Sequence, residues 1–260
     1  MKSRAEYLSK DYQKQFWANN KNARGFDHPV VEFFARQRID YVQRHIDLSG
    51  VSSAFDVGCG DGFATYYFLQ SIARVEGGDI SELMLEHNPL DKRSLKVIDA
   101  ESLDLPDESY ELVYLWEVLH HLKDPARAVR EMARVSSRYV VIFEPNRANV
   151  PQFAFGLLNR QERGTLRSSK AYLEGLARQA ELEIIACDYC GKIPPNKTPG
   201  WLFDLVKRLP FESSRVTGIS VAVIARKRPS PRPAQAPLRH QSSPRDPSAS
   251  CTSVGTMPIS

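Results

Sequence analysis

The chain has 260 residues, 42% hydrophobic and 25% charged, which reads as one globular, soluble domain with extensions. Its net charge of +4 is modest, and Arg232, Arg239 and Arg245 in a tail with one acid contribute to it, so there is no clear nucleic-acid signal. The N-terminus lacks the apolar core of a secretory signal, the longest apolar runs, such as Tyr139 to Phe143, are too short for a transmembrane segment, and four cysteines make no disulfide framework; the expectation is a cytoplasmic protein.

Residues 1–50 predict an N-terminal helical cover. Tyr7, Tyr12, Phe16 and Trp17 mark a first helix, and Val31, Phe34, Ile39, Val42 and Ile46 recur at helical spacing in a second. Packing of an appended helix and lining of a ligand pocket are both open for Tyr12, Phe16 and Trp17. From residue 53 short apolar strands alternate with amphipathic stretches: Ala54 to Val57, Arg74 to Gly78, Leu95 to Ile98, Leu112 to Trp116, Tyr139 to Phe143, Glu183 to Ala186 and Ile219 to Ala225. A helix is expected from Phe63 to Ile72, another over Pro125 to Val135 and a third around Tyr172 to Ala180. Parallel strands require such crossovers, so the fold class is α/β, with helices on both faces of the sheet.

Residues 51–228 thus form the main domain. Two segments interrupt its alternation, about 146–168 and 191–215; both are longer than ordinary connections and rich in aromatic residues and proline, and they read as substrate-side insertions. Residues 229–260, rich in Pro, Ser and Arg, read as a disordered tail.

The first strand runs into Asp56-x-Gly58-x-Gly60-x-Gly62, and an acid, Asp79, closes the second strand about twenty residues on. Strand, glycine turn and helix form a nucleotide-type site, in which glycines leave no Cβ between backbone and ligand. A dinucleotide turn usually reads G-x-G-x-x-G. Here the third glycine comes one residue early, and Asp56 would repel a pyrophosphate while suiting the ammonium of an amino-acid moiety. That favours S-adenosylmethionine over NAD.

Four blocks now resemble the class I S-adenosylmethionine-dependent methyltransferases, most closely the methyltransferase type 11 group that includes the ubiquinone and menaquinone C-methylases. They are Phe55-Asp-Val-Gly-Cys-Gly-Asp-Gly62, Gly78-Asp79-Ile-Ser81, Asp99-Ala-Glu101 with Leu105-Pro-Asp-Glu-Ser-Tyr110, and Leu112-Val-Tyr-Leu-Trp-Glu-Val-Leu-His120-His121. The resemblance implies a doubly wound, Rossmann-like, mostly parallel seven-stranded sheet. It places Gly58, Cys59 and Gly60 against the methionine moiety, Asp56 near its amino group, Asp79 on the ribose hydroxyls, Ile80 on the adenine, Asp99 and Ala100 at the exocyclic amine, and Trp116 and Glu117 along the cofactor. A turn after the third strand, or a helix cap, is the plain structural alternative for Asp99.

The same resemblance puts His121 near the acceptor, where an imidazole can take a proton from an attacking hydroxyl, with helix-start packing as the alternative. His28 is a second candidate base, and Glu144-Pro145-Asn146 a third polar cluster on the same side. No Asn/Asp-Pro-Pro-Tyr/Phe run follows the fourth strand, which argues against amino-methylation of DNA bases or glutamine. No clustered Asp/Asn set marks a metal site. Cys187-x-x-Cys190 has no second pair; two cysteines at a strand end is the plain reading, and zinc or redox chemistry the alternative. The expected function is methyl transfer from S-adenosylmethionine, leaving S-adenosylhomocysteine, to oxygen or carbon of a small-molecule or lipid-like acceptor. An NAD-dependent oxidoreductase and a non-catalytic binding module on the same fold are the alternatives.

Overall fold

The computed structural model describes residues 9–17 and 24–228. The expected tail at 229–260 and Tyr7 lie outside these residues. Seven strands form a single sheet: β1 Ser53–Val57, β2 Arg74–Asp79, β3 Leu95–Val97, β4 Tyr110–Trp116, β5 Ser136–Pro145, β6 Leu182–Cys190 and β7 Ser220–Lys227. Their order is β3-β2-β1-β4-β5-β7-β6, with β7 antiparallel to both its neighbours and the other adjacent pairs parallel. This is the α/β sheet that the alternating pattern predicts, with the mostly parallel, doubly wound arrangement that the resemblance implies. The order reverses between β1 and β4, where α/β sheets open a crevice at the carboxyl ends of their strands.

Eight α-helices accompany the sheet among the described residues: α1 Lys10–Trp17, α2 Pro29–Gln43, α3 Thr65–Phe68, α4 Glu82–His87, α5 Pro125–Val135, α6 Val150–Leu158, α7 Lys170–Gln179 and α8 Gly200–Val206. Period-two alternation in β4 divides the core. Val113 and Leu115 pack with Met132 of α5 and Leu173 of α7 on one face; Leu112 and Tyr114 pack with Tyr41 of α2 and Phe68 of α3 on the other. Helix starts follow side-chain capping: Asp124 accepts from the Arg127 amide at 3.0 Å ahead of Pro125, and Ser169 from the Tyr172 amide at 3.3 Å.

Some elements differ from expectation. The helix after the glycine turn is confined to Thr65–Phe68, a β-branched residue and three aromatics of modest helix propensity. Both interrupting segments, expected as long connections, contain a helix: α6 with a 3₁₀ turn at Arg163–Arg167 in the first, α8 in the second. Cys187 and Cys190 are free thiols, three residues apart on β6, and join the cores on opposite faces of the sheet. That separation removes the zinc and redox alternatives for the pair, since odd spacing on a strand sends the two side chains apart.

Candidate active site

A cavity of about 680 Å³ opens at the carboxyl ends of β1, β2 and β4 and runs from the glycine turn to His121 and Phe155. Asp56, Gly58, Cys59, Gly60, Asp79, Ile80, Asp99, Ala100, Trp116, Glu117 and His121 all line it, so the fold brings together residues spread over 66 positions of sequence.

The turn is built by left-handed backbone. Gly58 has φ 74°, and a Cβ there would meet Val118 at 2.5 Å. Gly60 has φ 50° and faces Asp79. The amides of the turn are largely spoken for: Gly58 and Cys59 donate to the Gly78 carbonyl at 2.7 and 3.1 Å, and Gly60 to Asp79 Oδ2 at 3.0 Å. What the turn offers is close approach of a backbone without side chains, ringed by carboxylates.

Asp56 is buried at the end of β1, and Thr65 Oγ1 donates to its Oδ2 at 2.7 Å. Burial pushes its carboxyl up to about 7, the Thr65 hydroxyl opposing and the Asp79 charge adding to the rise. Asp79 accepts from the Ser81 and Gly60 amides, one on each oxygen, and burial raises its carboxyl too. Each oxygen keeps further acceptor capacity for a vicinal diol. Asp99 sits in a turn after β3, accepting from the Glu101 amide at 2.9 Å, and its other oxygen pairs with the Lys10 ammonium from α1. The turn alternative for Asp99 is therefore realised together with its place in the cavity wall. The carboxyl groups of Asp56 and Asp79 suit an ammonium and a diol, and Asp99, which shares its charge with Lys10, suits an exocyclic amine; a pyrophosphate would meet repulsion from the first two. The residues present fit S-adenosylmethionine.

The far half of the cavity is organised by Glu144, which is fully buried at the end of β5. It accepts from the amides of Leu119 and His120 at 2.8 and 3.2 Å and from His120 Nδ1 at 2.9 Å, with Ser168 Oγ at 3.4 Å. His120 Nε2 lies 3.4 Å from Glu162. Burial opposes a charge on His120, but Glu144 and then Glu162 outweigh it and raise the imidazole to about 10. His121 goes the other way: burial and the adjacent positive His120 hold it at about 3, so it is neutral. Its Nδ1 is buried without a partner, and its ring meets Trp17 edge to face at 5.7 Å. Ligand-capable atoms of His120, His121 and Glu162 lie within 4.8 Å of one another, but both His120 nitrogens are already matched to carboxylates.

His28 is not brought to the cavity. Its Nδ1 accepts from the Val30 amide at 3.2 Å and caps α2. Asn146 serves the fold, donating to the Arg215 and Gly218 carbonyls. Trp17 lines the cavity, while Tyr12 and Phe16 stack on each other at 6.2 Å.

Sequence reasoning missed Arg38, Lys10 and Glu162. Arg38 is 1% exposed, donates to Ser220 Oγ at 2.8 Å, lies 3.6 Å from Glu117 and sits over the Phe34 ring at 3.3 Å. Glu117 itself takes left-handed φ 57°. A signal for Arg38 existed: it falls four residues after Phe34 and four before Val42, in the apolar stripe of α2. Glu162 carried none, because its partner is 42 residues away.

The glycine turn, the acidic crevice and the sheet order make a nucleotide-type fold whose cavity suits an amino-acid-bearing nucleoside. The sequence profile of the family described as "Methyltransferase domain" matches residues 55–140. The ubiquinone biosynthesis O-methyltransferase of Neisseria meningitidis serogroup A is 27% identical over 194 residues, covering 71% of this chain and 70% of that protein. Among solved structures, a methyltransferase of Thermotoga maritima, described as a possible histamine N-methyltransferase, aligns with TM-score 0.57 at 19% identity over 76% of this chain and 91% of that one. Magnesium protoporphyrin IX methyltransferase from Synechocystis, with bound S-adenosylhomocysteine, aligns with TM-score 0.53 at 16% identity over 86% and 97%. The structural likenesses show the shared fold. Over residues 55–140 the chain is similar to the S-adenosylmethionine-dependent methyltransferases of that family. Nothing in these comparisons favours an oxidoreductase.

Proposed function

We propose that this methyltransferase acts on a hydroxyl oxygen of a planar, largely apolar small molecule, held in the far half of the cavity beside His121. The observation that carries the reading is a neutral, buried imidazole in the cavity wall: His121 meets Trp17 edge to face at 5.7 Å and the His120 ring at 4.0 Å, in a cavity that Val118, Leu122 and Phe155 also line. The O-methyltransferase name of the Neisseria relative supports oxygen over carbon.

In this reading Asp56 holds the ammonium of the cofactor, with Gly58, Cys59 and Gly60 passing close to its methionine part. Asp79 accepts from the ribose diol, Ile80 and Ala100 flank the base, and Asp99 receives the exocyclic amine while sharing its charge with Lys10. Trp116 and Glu117 bound the path toward the acceptor. S-adenosylmethionine, when bound, supplies a methyl group already activated on sulfonium. The protein's task is to align the acceptor oxygen with that methyl and exclude water, which alone can lower a barrier by about 7–11 kcal/mol.

His121 accepts the hydroxyl proton. A base held at about 3 takes it late, once the new O–C bond has made the oxygen acidic. His120, locked between Glu144 and Glu162, fixes the turn that carries His121 and is a positioning residue.

The test is mass analysis of catechol-like and amine acceptors incubated with the enzyme and methyl-labelled cofactor. The reading expects label on phenolic oxygen and a loss of about tenfold or more in kcat for His121→Ala, short of the full contribution of a base matched to the working pH. Labelling of amines alone, or full activity of His121→Ala, would refute it.

A further inference from the structure

The two insertions leave the same edge of the sheet, because β5 and β6 are both antiparallel to β7 and so run in one direction. Both help wall the cavity: Gln152 and Phe155 of α6 line it, as do Lys192 and the Pro194 to Lys197 stretch leading to α8. They meet where Lys197 Nζ lies over the Phe155 ring at 3.4 Å.

Each helix turns an apolar face outward. On α6, Val150, Phe153 and Leu157 are spaced i, i+3, i+7 and exposed, and Leu158 beside them is 82% exposed. Gly156 faces the other way, against Thr165 and Leu166. On α8, Trp201 and Leu205 are 72% and 67% exposed, Leu209 continues the stripe, and Phe203 on the opposite side packs on Phe33 of α2. A single exposed leucine is ordinary; two outward apolar stripes around one cavity are not.

Charge names the occupant. Residues 146–168 and 191–215 carry nine Lys and Arg against three Asp and Glu, an excess of six, while the whole chain has only +4, so the remainder is net acidic. Apolar stripes on segments with an excess of cations are what an interfacial helix presents to a bilayer bearing anionic headgroups. A nucleic acid would use the cations and leave Leu158, Trp201 and Leu205 in water. A second copy of the chain would bring the like charges together.

We propose that α6 and α8 dock this protein on an anionic membrane surface, with the neighbouring cavity within reach of acceptors dissolved in the bilayer. The docking stands independently of which acceptor atom is methylated.

The experiment is co-sedimentation of the full chain with vesicles of equal parts phosphatidylglycerol and phosphatidylcholine, and with phosphatidylcholine alone. The expected result is binding to the anionic vesicles that weakens with salt. It should fall about tenfold or more in Leu158→Glu/Leu205→Glu, whose side chains are exposed. S-adenosylhomocysteine affinity and Tm of the double variant should match the parent, which separates lost docking from misfolding. Three outcomes would overturn the proposal: no binding to anionic vesicles, binding that the double variant retains, or a parent dimer that the double variant splits while vesicles bind neither. Preferential binding of an oligonucleotide, unaffected by the two substitutions, would assign the cations to nucleic acid instead.

Discussion

Replacing Glu144 by Gln tests how the acceptor half of the cavity is held. The carboxylate is fully buried and takes two amides and one imidazole N–H, with the Ser168 hydroxyl more distant. A glutamine keeps the volume but loses the charge, and one of its two heads becomes a donor facing donors. Removing one partner of a buried, hydrogen-bonded ion pair costs about 3–5 kcal/mol. At about 2–4 °C per kcal/mol for a domain of this size, Tm should fall by roughly 6–20 °C.

The substitution also has a pH signature. His120 is raised to about 10 in the folded state from an ordinary 6.5. A group raised on folding stabilises fully below its unfolded value, and that contribution drains away as pH climbs through the folded one. Between about pH 7 and 10 the parent should therefore lose up to about 1.4 kcal/mol per pH unit. In Glu144→Gln the main support of the His120 charge is gone, so its pKa drops and the slope in that window flattens. Thermal unfolding followed by circular dichroism at several pH values measures both effects. A Tm within about 2 °C of the parent, with parallel pH dependences, would refute the buried pair as the organiser of this half.

Two further predictions concern groups that the fold buries. Asp56 titrates at about 7 in the free protein, so if its carboxylate holds the cofactor's ammonium, S-adenosylhomocysteine affinity should rise about tenfold per unit up to pH 7 and level off above it. Calorimetry should find this step missing in Asp56→Asn; a step that persists in the variant belongs to another group. Arg38→Met removes the cation facing the part-exposed Glu117 and should destabilise by about 1–3 kcal/mol in denaturant unfolding. The companion Glu117→Gln change should restore part of that loss, whereas strictly additive effects would show that the two groups are not coupled.

Much of this architecture was legible in the chain. The strands announced themselves as short apolar runs because both faces of a parallel sheet are buried, and Asp79 was readable because it closes one of those runs. The residues proposed for the cofactor lie at strand ends, where short-range spacing fixes geometry. The acceptor half resisted for the opposite reason. His120 is governed by Glu144 and Glu162, 24 and 42 residues away, and no local spacing tells which carboxylates will meet which imidazole. The helix cap that His28 makes went unread, although a histidine before proline at a helix start can carry that signal. The charge of Lys10 on Asp99 depends on where a separate helix lands.

The central claim is that the glycine turn and Asp79 together hold the methyl donor. Isothermal titration of S-adenosylhomocysteine into the parent and into Asp79→Ala tests it directly. Binding by the parent, weakened at least about tenfold in the variant by loss of charge-assisted hydrogen bonds to the ribose, is the predicted result. A parent that does not bind, or a variant that binds as tightly as the parent, would contradict it.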